Sequence, residues 1–226
     1  MPEPISTVVT AITEHPQVAA AVASIYGVAK PFLTKVLGLA AEEIGEIGRD
    51  YIKGQRTKNA ERTLTDADKL LAVVRREAQR VPFNIAVPLL EGASLQEEPT
   101  LADKWAALLA NAADPAQRVA VQPSFADVLR QLTPTDAQVL EFIYAEHPPQ
   151  EGDLFCHYPT VEDALGNFDW QAIITETSLG NLSRLRLFDF ASGSLYNADN
   201  TLNVKQRFLF SAYGGQFMLA VTPPTP

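Results

Sequence analysis

A chain of 226 residues with 46% hydrophobic and 20% charged side chains has the length for one large domain or two small ones, and the balance of an ordinary globular protein. Its 18 basic and 27 acidic residues leave a net charge of −9, which argues against a binder that grips nucleic acid through general electrostatics. Neither half reverses that sign, with residues 1–115 at −3 and residues 116–226 at −6. The single cysteine, Cys156, rules out an intrachain disulfide and fits a reducing compartment. The opening Met1-Pro2-Glu3-Pro4 lacks the basic start of a secretory signal, so a cytoplasmic protein is expected, at most peripheral to the inner membrane.

The first fifty residues are the most apolar. Ile5, Val8, Val9 and Ile12 recur at helical spacing, Val18, Ala21, Val22 and Ile25 repeat it, and Leu33, Val36, Leu37, Ala40, Ile44, Ile47 and Tyr51 extend it. Pro16 and Pro31 suit first-turn positions between these helices. Between Pro4 and Ala41 the longest uncharged run is His15 to Ala29, 15 residues, short of the roughly 20 a membrane-spanning helix needs. Glycine within a helix costs stability, so Gly27, Gly38 and Gly45 need a reason, and close approach of a second helix is one. Packing within the same chain is the plain explanation. The sharper one is an assembly or membrane face formed by Ile25, Gly27, Leu33, Val36, Leu37, Gly38, Ile44 and Gly45. Arg49, Lys53, Arg56 and Lys58 follow directly as a basic patch, which is either a solvated helix end or an anchor for an anionic surface.

Thr65 to Arg80 reads as a helix capped by Thr65, with Leu70, Val73 and Val74 on its apolar side. Pro88 opens a short helix, and Thr100 caps another that runs to Ala113 around Trp105, Leu108 and Leu109. Pro123-Ser124 begins a helix to about Leu132. Thr133-Pro134-Thr135-Asp136 is a compact start signal for the next, with a cap, a proline at the first helical position and an acid at the third. A helical turn or two is expected over Thr160 to Leu165. Ile173 to Arg184 reads as a helix with Leu179, Leu182 and Leu185 on one side, then Leu185–Phe190 and Val204–Phe210 alternate as strands. The expected fold is mainly α: an N-terminal helical region, then a helical scaffold ending in a winged-helix-like unit with a small β-hairpin. The expected divisions are 1–60, 61–116 and 117–221, with 222–226 as a proline-rich disordered tail.

Familiar catalytic and metal patterns are missing. His147, Cys156 and His157 gather near one loop without the paired spacing of a zinc site. There is no phosphate-cradling glycine loop and no G-x-S-x-G elbow. The acidic pairs Glu42-Glu43, Glu97-Glu98 and Glu162-Asp163 are sequence neighbours, and neighbours on a helix do not face each other across a cleft. No catalytic residue, metal or cofactor is expected. A winged-helix unit raises DNA binding through Arg184 and Arg186, with Lys205 and Arg207 on the wing, but four cations are few for duplex recognition.

The segment Val87-Pro88-Leu89-Leu90-Glu91-Gly92-Ala93-Ser94, followed by Leu101, Trp105-Ala106-Ala107-Leu108-Leu109-Ala110-Asn111-Ala112 and Asp114-Pro115, resembles the centre of the abortive-infection alpha family. So do Pro123-Ser124-Phe125, Gln131-Leu132-Thr133-Pro134, Asn181-Leu182-Ser183-Arg184-Leu185 with Leu187, and Tyr213-Gly214-Gly215-Gln216-Phe217. The likeness runs from Gln55 to Phe217. Gln122 stands where the family pattern suggests histidine, and Arg186 where it suggests glycine. The resemblance implies a bacterial protein of phage defence and brings no catalytic residues with it. The resulting expectation is a non-enzymatic defence protein that assembles with itself, binds another protein, or touches a membrane surface. The alternatives are a DNA-binding winged-helix regulator and a hydrolase or nuclease whose site forms only in three dimensions.

Overall fold

The computed structural model describes residues 55–116, 120–146, 172–190 and 207–226, with positions 160, 162, 196–199, 203 and 205 between them. Among the described residues the chain is mainly helical, with one small sheet. Its described helices are α1 Gln55–Val73, α2 Phe83–Ser94, α3 Pro99–Ala113, α4 Ser124–Gln131, α5 Pro134–Glu146, α6 Ala172–Arg184 and α7 Ala212–Ala220. Strands β1 Phe188–Phe190 and β2 Phe208–Phe210 lie between α6 and α7. The helices expected over the first fifty residues lie outside the described residues. The chain divides into two compact units, one reaching to Arg130 and including Ala220–Pro226, the other covering Gln131–Leu219.

In unit one, α1 packs chiefly on α3. Ala60, Leu64, Ala67 and Leu71 recur every three or four residues and are all buried, which makes them the inward stripe. The expected stripe was one position off. Val73 is 78% exposed, and Thr65 is an interior residue of a helix that starts ten residues earlier. The end of α1 explains its length. Arg75 takes a left-handed φ of 56° while its N–H donates to the Ala72 carbonyl and that of Arg76 to the Leu71 carbonyl, both at 3.0 Å. This paired closure stops the helix well before Arg80.

Helix α3 is buried on nearly every side, as a central helix of mostly alanine and leucine must be. Its cap is Glu98 with Pro99 at the first helical position, two residues ahead of the expected Thr100. Trp105 is fully buried, and a Cβ at Gly92 of α2 would overlap its ring. The glycine therefore admits the indole. Pro88 lies inside α2 instead of opening it, because Pro82 already caps the helix and its carbonyl accepts from Ile85 and Ala86. The segment after α1 is fastened to the end of α3: Gln79 N–H donates to the Ala113 carbonyl at 2.8 Å, and Arg76 Nη1 meets Asp114 Oδ2 at 2.6 Å. The C-terminal residues join the same corner. Asn111 Nδ2 donates to the carbonyls of Ala220 and Thr222, both at 2.8 Å, and Arg76 Nη2 donates to that of Thr225 at 3.1 Å.

In unit two, α5 begins with the reciprocal cap that Thr133-Pro134-Thr135-Asp136 announces. The Asp136 N–H donates to Thr133 Oγ1 at 3.1 Å, and the Thr133 N–H donates to Asp136 Oδ2 at 2.8 Å. Helix α6 buries Leu179 and Leu182 and ends in a left-handed residue, Arg186 at φ 62°. The N–H of Arg186 donates to the Ser183 carbonyl and that of Leu187 to the Leu182 carbonyl, the same closure as in α1. Residues 185–187 thus serve the corner, and β1 is shorter than the alternation suggests. The strands pair antiparallel, Phe188 with Phe210 and Phe190 with Phe208, and their rings cluster with Tyr144 of α5. Thr160 forms an antiparallel bridge with Arg207 just ahead of β2.

Helix α7 was not expected. Ser211 caps it: its Oγ accepts from the Gly214 N–H at 2.8 Å and donates to the Arg186 carbonyl at 2.6 Å, while its N–H donates to the Leu187 carbonyl at 3.0 Å. A Cβ at Gly214 would overlap that Leu187 carbonyl. The glycines that disguise this helix in the sequence are what let its first turn lie on the corner.

Candidate functional site

Two chain segments more than forty residues apart form a cleft within unit two. Gln131, Thr133, Thr135 and Asp136 come from the start of α5 and the residue run before it, and Thr177, Ser178 and Asn181 from α6. The cleft has a volume of about 600 Å³. Each of these seven side chains carries a hydroxyl, an amide or a carboxylate.

The cap of α5 sets the geometry. Asp136 sits in the first turn, where the helix dipole favours an anion. Its Oδ2 accepts from the Thr133 N–H and, at 2.8 Å, from Asn181 Nδ2 of α6. Asn181 Nδ2 also donates to the Gln131 carbonyl at 3.1 Å. One amide therefore holds the two walls together. Asp136 is 1% exposed, and its Oδ1 has no hydrogen-bond partner. A buried acceptor without a donor costs about 1–3 kcal/mol. At the rim, Arg184 donates from Nη1 to Gln131 Oε1 at 3.1 Å and from Nη2 to Asn181 Oδ1 at 2.8 Å.

The residues singled out from the sequence are placed as follows. Ile25, Gly27, Leu33, Val36, Leu37, Gly38, Ile44 and Gly45 lie outside the described residues, as do Arg49 and Lys53. Arg56 and Lys58 fall in the first turns of α1, and Lys58 is exposed. Arg184, Arg186, Lys205 and Arg207 are all exposed. The hairpin register separates two of them: Arg186 lies two residues before Phe188, which pairs with Phe210, whereas Arg207 precedes Phe208, which pairs with Phe190. They stand at opposite ends of the ladder. Arg184 is engaged at the cleft. Glu176, on the same helix, faces Tyr196, whose phenol burial first and the Glu176 charge and hydrogen bond second hold above its ordinary pKa.

Among the described residues no group of three or more histidines, cysteines or acids is placed to hold a metal ion. His147, Cys156 and His157 lie outside them. No helix among the described residues is long and apolar enough to cross a membrane.

The model of the abortive infection alpha family matches residues 54–220. The chain belongs to the abortive infection alpha family. No curated protein and no solved structure matches it. The abortive infection alpha segment starts where α1 starts and ends with α7, so it takes in the whole described helical body and leaves out the apolar opening. Its motifs meet in space: Asn181 to Leu187 and Ser211 to Gly214 form one corner, and Gly92 and Trp105 form one contact. The cleft was not legible as a site. Thr133 and Asp136 read as a cap, Thr177 and Asn181 as positions along one helix, and nothing in the sequence couples the two segments.

Proposed function

We propose that this protein acts in abortive-infection defence against phage as a non-enzymatic assembly and contact protein. The family segment forms its helical body, and the apolar, glycine-marked residues before position 54 bring copies together or bind a partner or membrane surface. The family match carries this reading, because it stops where the composition changes: between Pro4 and Ala41 only Glu14, Lys30 and Lys35 are charged. A stripe of that kind associates by burying apolar area. A cytoplasmic location, peripheral to the inner membrane, belongs to the same proposal.

The test is phage plating on bacteria that express the full chain, compared with the Val36→Asp and Leu37→Asp variants at equal protein level. The wild type is expected to lower plaque counts and both variants to lose that protection. Protection by the variants equal to the wild type would remove the role of the opening segment. A second reading, duplex DNA binding by a winged-helix unit, draws support from α6 followed by a hairpin whose β2 end bridges to Thr160. A salt-dependent shift of duplex that disappears in Arg184→Ala and Arg186→Ala is its signature, and no shift at low salt contradicts it.

A further inference from the structure

The way residues 220–226 are fastened to unit one has the form of peptide recognition. Thr222, Pro223 and Thr225 each precede a proline, which pushes them into extended backbone, and Pro223, Pro224 and Pro226 fix φ at about −65°. A segment so constrained favours the polyproline II form, with about three residues to the turn and carbonyls open to outside donors. The gripped groups follow that period. Thr222 and Thr225, one turn apart, are the residues whose carbonyls accept from Asn111 Nδ2 at 2.8 Å and from Arg76 Nη2 at 3.1 Å. Pro223 and Pro226, one position further round, are exposed.

The donors are held in place by unit one itself. Asn111 is 6% exposed on α3 and also donates to the Ala220 carbonyl. Arg76 is set by Asp114 at 2.6 Å, and Gln79 Nε2 holds the Asp114 carbonyl at 3.1 Å. Of residues 221–226 only Val221 is buried, so one apolar anchor and the backbone carbonyls carry the contact. We infer that the ends of α1 and α3 form a seat for an extended proline-rich segment, that residues 221–226 fill it from within, and that a proline-rich segment of a partner protein takes their place. A seat that reads carbonyls accepts any segment of the same shape with a small apolar residue ahead of it. Exchange of occupants is favoured over vacancy, because an empty seat leaves the Asn111 amide and one arm of Arg76 without acceptors. A helical peptide has its carbonyls committed internally, and a glycine-rich one loses more chain freedom in taking the shape.

This inference is independent of how the first fifty residues act. Fluorescence anisotropy tests it, with a labelled peptide of residues 220–226 as the probe and the full-length chain as the binder. In the chain carrying Pro223→Gly and Pro224→Gly together, the internal occupant loses its fixed shape. The peptide is expected to bind that variant at least about tenfold more tightly than the wild type, whose own segment competes at high effective concentration. Val221→Asp, which removes the anchor, is expected to act the same way. Adding Arg76→Lys keeps a cation beside Asp114 but gives up the planar arm that reaches Thr225, and should weaken the peptide about tenfold. Pro223 is exposed and Pro224 half-buried, so the glycine variant decides the matter even if Val221→Asp fails to fold. No binding to the glycine variant, equal binding to the wild type, or binding indifferent to Arg76→Lys would overturn the inference.

Discussion

Single atoms decide three positions. Gly214 faces the carbonyl of Leu187, and a backbone carbonyl cannot rotate away. Gly214→Ala is therefore expected to cost at least about 1–3 kcal/mol in urea unfolding, the range for an overpacked contact. Arg186 is the reverse case. It holds a left-handed φ of 62° at the position that closes α6, so Arg186→Gly should be neutral or stabilise by up to about 1 kcal/mol. A clear loss in that variant would mean that the arginine side chain carries a contact of its own. Asp114 is 3% exposed and pairs with Arg76 at 2.6 Å. Arg76→Ala leaves that carboxylate buried without its cation, with the Ala116 N–H still donating to it, and should lower stability by about 3–5 kcal/mol. Arg62 with Asp103 is exposed, and Arg62→Ala should move the midpoint little.

At the scale of elements, local chemistry predicts a helix well when the signal is complete within four residues. Thr133-Pro134-Thr135-Asp136 announces α5, and both reciprocal bonds form. Thr133→Val should cost about 1 kcal/mol by removing one of them. Signals fail where distant packing overrides them. Pro88 reads as a start but lies inside α2, Thr65 reads as a cap but lies inside α1, and Gly214-Gly215, for which no helix is expected, lies in α7. For Pro88 the earlier cap at Pro82 sets the outcome, and for Gly214 a partner distant along the chain does, the Leu187 carbonyl that it admits. Tyr144 of α5 adds a pH dependence. Burial raises its phenol above the ordinary 10.0, so the folded state holds the proton more tightly than the unfolded chain. Its stabilisation is complete below pH 10 and is lost as pH rises through the raised value, and Tyr144→Phe should flatten that alkaline loss in thermal melts.

For the whole molecule, the mainly helical body and its family were legible because each helix has an apolar stripe and several motifs fall within single segments. The cleft was not, since Asp136 and Asn181 are 45 residues apart and each looks ordinary alone. The family match from residue 54 to 220 covers the described helices and leaves the apolar opening outside it. The central claim is that this opening is covered by something outside its own subunit. Light scattering on the full-length protein at micromolar concentration tests it most directly. A mass at least twice the 24.6 kDa of one chain, falling to one chain in Val36→Asp and Leu37→Asp, is the predicted result. A single-chain mass for the wild type, together with no binding to anionic vesicles, would contradict it.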